Sequence, residues 1–135
     1  MNVIVDTSVW SLALRRRRAI RSAEVVELAE LIREGRAALI GPVRQELLSG
    51  VPGAQQFETL RGYLQAFPDI ALGSEDYEEA AGFFNRCRAK GVQGSNTDFL
   101  ICAAAVRRQF AILTTDSDFV HYAKLLPIQL HAARS

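Results

Sequence analysis

The sequence predicts an α/β fold, a three-layer α/β/α sandwich with a central, mainly parallel sheet, and three observations predict it. Short apolar runs at residues 3–5, 37–40 and 111–114 alternate with longer segments of helical periodicity. The runs are apolar throughout rather than at every second position, as in strands buried on both faces. Several end on Asp, Thr, Ser or Gly-Pro, residues that start helices. A strand that returns through a helix to a parallel neighbour does so by a right-handed crossover.

In chain order, Val3, Ile4 and Val5 form the first strand, and Asp6-Thr7-Ser8 has the form of a helix N-cap. Residues 9–18 are helical with a basic end. Residues 22–34 make a second helix, with Val25, Leu28, Ala29, Leu31 and Ile32 on one face and Gly35 as its stop. Residues 37–40 are the second strand, and Gly41-Pro42 turns it into a helix that carries Glu46 and runs to Gly50. Val51-Pro52-Gly53 is a tight break before helical periodicity resumes over 54–66. Residues 68–72 are expected to be a third strand. A long amphipathic helix over 75–90 is led by Ser74 and ended by Gly91, and Ser95-Asn96-Thr97-Asp98 opens another that continues to Arg108. Residues 111–114 are a strand, 116–125 a short helix, and 128–130 a last edge strand. No repeat or low-complexity segment interrupts the pattern.

The chain has 135 residues, and a single domain over 1–135 is expected, because one hydrophobic core suits a chain of this length. Hydrophobic residues make up 49% and charged residues 23%, which excludes an intrinsically disordered chain. Lys and Arg number 16 against 15 for Asp and Glu, so net charge alone does not argue for nucleic-acid binding. Asp6 interrupts the first apolar run before it can serve as a secretory signal, and no run approaches the roughly 20 apolar residues that span a bilayer. A cytoplasmic protein without a membrane partner is expected. Cys87 and Cys102 lack Cys-x-x-Cys spacing and fall in helical patterns, so both are expected to be buried and reduced.

The chemistry is concentrated in acids. Ligands of an open parallel sheet bind beyond the carboxyl ends of the strands. Asp6 follows the first strand, Glu46 lies in the helix after the second, Asp98 opens the helix after the Gly91–Gly94 loop, and Asp116 follows another strand, with Asp118 two residues on. Each has an ordinary explanation: Asp6 and Asp116 as helix caps, Asp98 as the partner of Ser95 in a capping box, Glu46 as a solvated surface acid. Capping does not explain acids after several strands at one sheet edge. Clustered carboxylates repel and are costly to desolvate unpaired, so such a site needs a cation. Oxygen-only ligands favour Mg²⁺ or Mn²⁺, and the expected chemistry is hydrolysis of a phosphodiester by a metal-activated water.

Four segments carry a family resemblance: Val-Ile-Val-Asp-Thr-Ser at the N-terminus, the helix-borne Glu46, Thr97-Asp98-Phe-Leu-Ile-Cys-Ala-Ala, and the late Leu-Thr-Thr-Asp-Ser-Asp-Phe. In this order, over nearly the whole chain, they resemble a PIN domain, specifically a VapC-type toxin. The resemblance implies a Mg²⁺-dependent endoribonuclease with Asp6, Glu46, Asp98 and Asp116 as the acidic quartet. It also implies an RNA substrate, a cognate antitoxin and a homodimer. Asp6, Asp98, Asp116 and Asp118 are the metal-ligand candidates, with the order of Asp116 and Asp118 left open. Thr7, Ser8 and Thr114 are placed to hydrogen-bond a carboxylate or a metal water.

Arg15, Arg16, Arg17 and Arg18 form the densest charge run and can meet RNA phosphates or an acidic partner, or simply solvate a helix end. His121 and His131 are isolated and are expected to be structural or at the surface. Trp10 and Phe83-Phe84 read as core or dimer contacts. Two competing readings remain. A phosphoacceptor receiver domain also gathers acids at a sheet edge, but here Asp6 is followed by Thr7-Ser8 and Lys124 is separated from Pro127 by leucines. The other is a PIN-like scaffold without catalysis.

Overall fold

A computed structural model of the chain describes residues 1–14 and 22–134. Val3–Val5 forms β1, Ala37–Ala38 β2 and Ala111–Leu113 β3, in one parallel sheet of order β2-β1-β3. Val3 pairs with Ala37 on one side and with Ala111 on the other. Successive side chains of a strand point to opposite faces, yet Val3, Ile4 and Val5 are all essentially inaccessible. Both faces of the sheet are therefore covered, as in the three-layer arrangement predicted.

Seven helices among the described residues supply the cover: α1 Thr7–Leu14, α2 Ala23–Arg33, α3 Gly41–Leu48, α4 Ala54–Leu64, α5 Ser74–Ala89, α6 Asn96–Arg108 and α7 Asp118–Ala123. α6 packs on β1 and β3 and carries α5 on its outer side, while α1 contacts α2 and α3. The run from Ile101 to Ala105 in α6 is fully buried because four of its five residues, Cys102 and three alanines, are small enough to seat the helix between sheet and α5.

Local chemistry sets most boundaries. The Ser22 hydroxyl accepts the Val25 N–H (3.1 Å), and Ser95 accepts the Asp98 N–H (3.0 Å), each satisfying a free donor of a first turn. Pro42 sits in the first turn of α3, where its missing N–H costs nothing. Gly35 ends α2 with φ of 69°, the left-handed conformation that glycine adopts without strain.

Several expectations are corrected. Residues 68–72 do not form a strand: one parallel bridge joins Leu39 to Asp69, supported by the Ile70 N–H on the Leu39 carbonyl (3.0 Å), because Pro68 supplies no donor and the segment leaves the sheet at once. Residues 128–130 likewise make a single bridge, Ile112 to Leu130. α1 starts earlier than residue 9, directly after Asp6, and α7 starts later than residue 116, after a turn. The lead residue of α5 is Gly73 rather than Ser74, with Asp76 reaching back to accept the Gly73 N–H (2.9 Å). On α2, Ala29 is exposed and Glu27 is buried instead. Glu27 is compensated from the far end of the chain, with His131 Nε2 at 2.5 Å and Arg134 Nε at 2.9 Å. His131 is thus structural, as expected. Cys87 and Cys102 are both buried and free.

Candidate active site

The junction between β1 and α1 is the starting point. The Asp6 N–H donates to the Leu113 carbonyl (2.9 Å), extending the β1–β3 ladder by one residue, and the Asp6 carbonyl accepts the Val9 N–H (3.1 Å), opening α1. The backbone is thus fixed from both directions, and the side chain, 5% exposed, lies at the carboxyl edge of the sheet. Its Oδ2 accepts from the Ser8 and Thr114 hydroxyls, both at 2.8 Å. These hydroxyls accept in turn: Ser8 Oγ takes the Thr115 N–H (3.1 Å) and Thr114 Oγ1 the Asp116 N–H (3.0 Å). The loop after β3 is thereby tied to Asp6 through two side chains.

Three more acids converge there. One carboxylate oxygen each from Asp98, Asp116 and Asp118 lie within 4.8 Å of one another. Asp116 Oδ1 accepts the Asp118 N–H (2.9 Å), and Asp98 Oδ2 accepts the Tyr122 hydroxyl (2.7 Å). Glu46, exposed on α3, is joined to the site by the Thr7 hydroxyl on its Oε1 (2.7 Å). The ordinary capping roles are present on the backbone of Asp6, Asp98 and Asp116, and the carboxylates of Asp6 and Asp98 do something further: they face one another's charge.

Burial pushes the Asp6 carboxyl above its usual range, against the hydrogen bonds from Thr114 and Ser8, and Asp116 adds repulsion. Burial also raises Asp98; the Tyr122 hydrogen bond opposes this, and the charges of Asp6 and Asp116 add to it. Burial, then the bond to Asp98, pushes Tyr122 up, so its hydroxyl stays a donor.

Ion pairing separates these acids from the other buried acids, Glu27 and Asp76. Among the described residues none of Asp6, Glu46, Asp98, Asp116 and Asp118 forms an ion pair, whereas Glu27, Glu34, Asp69 and Asp76 are each held by arginine. The donor set fits a small hard cation. Opposite ligands of an octahedral Mg²⁺ stand about 4.2 Å apart and adjacent ones about 3 Å, so the spacing of the Asp98, Asp116 and Asp118 oxygens needs only slight closure. An open groove of about 370 Å³ runs from Asp116 past Thr115 and Ser117 to Leu130 and His131.

The family model described as the PIN domain matches residues 3–125. The chain belongs to the PIN-domain family. Solved structures repeat this PIN fold at low identity. A chain of VapBC2 from Rickettsia felis, bound to a DNA fragment from their promoter, gives a TM-score of 0.78 at 16% identity, covering 97% of this chain and 98% of that one. FitAcB from Neisseria gonorrhoeae gives 0.75 at 16% identity, covering 97% of both chains. VapBC-1 from nontypeable Haemophilus influenzae gives 0.74 at 14%, again covering 97% of both. No curated protein matches the chain in sequence.

Membership of the PIN family sets the receiver-domain reading aside. Of the residues singled out from sequence, the PIN fold groups Asp98, Asp116 and Asp118, places Asp6 beside them, and brings Glu46 to the rim through Thr7. Thr7, Ser8 and Thr114 all bond carboxylates. Arg15 to Arg18 lie outside the described residues. Sequence reasoning missed Tyr122. Its place three residues after Phe119 reads as helix core, and nothing local announces a hydroxyl aimed at Asp98.

Proposed function

We propose that this PIN domain is a Mg²⁺-dependent endoribonuclease, the toxin of a VapC-type toxin–antitoxin pair, with Mn²⁺ able to replace Mg²⁺. One observation carries the reading: buried and half-buried carboxylates are gathered at the sheet edge with no arginine or lysine partner among the described residues, in a chain whose other buried acids are all paired. Asp6, Asp98, Asp116 and Asp118 are the residues that would hold the ion, and Glu46 completes the acidic quartet from the exposed side. Bound there, the ion would supply charge neutralisation at the phosphate and a water of lowered pKa. The chain's own part is to hold Asp6 through Ser8 and Thr114, to keep Asp98 in place through Tyr122, and to leave the rim near Glu46 open for RNA. No helix among the described residues is long and apolar enough to cross a membrane, in keeping with the cytoplasmic location expected of such a toxin. An antitoxin partner is supported by the neighbours, which were solved as VapBC and FitAcB; a homodimer follows from the resemblance alone.

Purified, antitoxin-free protein is expected to cleave single-stranded RNA in Mg²⁺ or Mn²⁺, to stop in EDTA, and to recover when the ion is restored, as read on denaturing gels. Cleavage that continued in EDTA would overturn metal dependence. Cleavage of DNA but not RNA would overturn the substrate assignment.

A further inference from the structure

Tyr122 is fully buried, yet its hydroxyl ends at the acidic cluster. The ring is clamped between Phe99 (centroids 4.9 Å apart) and Phe119 (5.1 Å), so the O–H has one direction in which to point, and it donates to Asp98 Oδ2. A rigid phenol also needs room. A Cβ at position 94 would lie 2.2 Å from the Tyr122 oxygen, 2.8 Å from its Cζ and 3.0 Å from Phe99 Cε2. Gly94 is not among the residues of positive φ, so it is the tyrosine, and not the backbone, that requires glycine here.

The other acids follow one pattern. Asp116 commits Oδ1 to the Asp118 N–H, and Asp6 commits Oδ2 to two hydroxyls. Asp6, Asp98 and Asp116 thus each have one oxygen engaged by the protein. We propose that Tyr122 is a positioning residue, whose hydroxyl holds Oδ2 of Asp98 so that Oδ1 is the oxygen offered to a divalent cation, and that Gly94 is kept small to let the hydroxyl reach. Ligation through one oxygen per carboxylate suits the strict octahedron of Mg²⁺, and hydrogen bonds that orient a ligand are part of its affinity. The inference rests on the metal-dependent reading above.

The test is Mn²⁺ binding to the purified full chain, followed by electron paramagnetic resonance of the free ion, so that the readout is independent of cleavage. Tyr122→Phe keeps the ring and removes only the O–H. Its Mn²⁺ Kd is expected to weaken about tenfold or more, with cleavage lost at limiting Mn²⁺ and regained at higher concentration. Gly94→Ala, which displaces the hydroxyl without deleting it, is expected to weaken Mn²⁺ in the same way. If the parent binds Mn²⁺ and both folded variants bind within twofold of it, Tyr122 is only a core residue and the inference falls while the metal reading stands. If the parent itself binds no Mn²⁺, the metal reading fails and this inference with it.

Discussion

Asp98→Asn is expected to lower cleavage on the order of 10³-fold or more, and at the same time to raise the melting temperature of the protein kept in chelator. The first effect follows from the charge that a metal ligand supplies: a bound ion contributes several kcal/mol of transition-state stabilisation, and each 1.36 kcal/mol is about tenfold in rate. The second follows from the direction of the carboxyl's shift. Burial, reinforced by Asp6 and Asp116, holds Asp98 above its ordinary value of 3.8. The folded state therefore binds this proton more tightly than the unfolded chain does. Between 3.8 and the raised value, stability falls as pH rises, and above that window the full penalty remains. Asp6 shifts the same way and adds to it. A neutral Asn removes the penalty and its carbonyl oxygen can still accept the Tyr122 hydroxyl. Thermal melts in EDTA should show the parent gaining stability as pH is lowered from neutral into that window, with a smaller gain for Asp98→Asn. A variant less stable than its parent in EDTA at neutral pH would contradict the idea that these charges oppose folding.

The opposite result is expected at Asp76, a buried acid of the other kind. It is 1% exposed, and its Oδ1 accepts from Arg107 and Arg108, both at 2.7 Å, while its Oδ2 accepts from Arg108 (3.0 Å) and the Gly73 N–H (2.9 Å). It ties the start of α5 to the end of α6. Arg108 foremost, against the cost of burial, holds its carboxyl well below the usual range. Its contribution is thus present above pH 3.8 and is lost as pH falls toward its folded value. Removing one partner of a buried pair costs about 3–5 kcal/mol. Arg107 and Arg108 are 30% and 24% exposed and regain some water, so Asp76→Ala is expected at the lower end, about 3 kcal/mol, or roughly 10 °C in Tm. RNA cleavage per folded molecule should be unchanged, since Asp98 and Arg108 lie about 15 Å apart along α6 at 1.5 Å per residue. Urea melts and cleavage assays on one preparation check both halves. A loss below 1 kcal/mol would mean that the pair is merely a surface contact.

The contrast between these two acids shows what was legible in the sequence. Helix starts at Ser22 and Ser95 were readable because a cap joins a side chain to a backbone group three residues away, and the start at Pro42 because proline suits a first turn. The strands were readable from apolar runs, although β2 is only two residues long and the segments at 68–72 and 128–130 reduce to bridges; sheet length depends on neighbours that no local pattern reports. Asp6 and Asp116 were visible as candidate site residues because one directly follows β1 and the other follows β3 after two threonines. The closer grouping of Asp98 with Asp116 and Asp118 was not visible, because it depends on how α6 and α7 are set against one another. The same holds for Glu27, whose partner Arg134 lies 107 residues away. Neither the burial of Glu27, which helical periodicity left off the apolar face, nor the arginine that meets it is a local property.

The central claim is that Asp98, Asp116 and Asp118, with Asp6 beside them, form a cation site. Crystals of the PIN domain soaked in Mn²⁺, with anomalous scattering recorded at the manganese edge, test it most directly. A peak bound by carboxylate oxygens of these residues at about 2.2 Å is predicted; crystals that carry manganese elsewhere, with the four acids turned to protein donors alone, would contradict it.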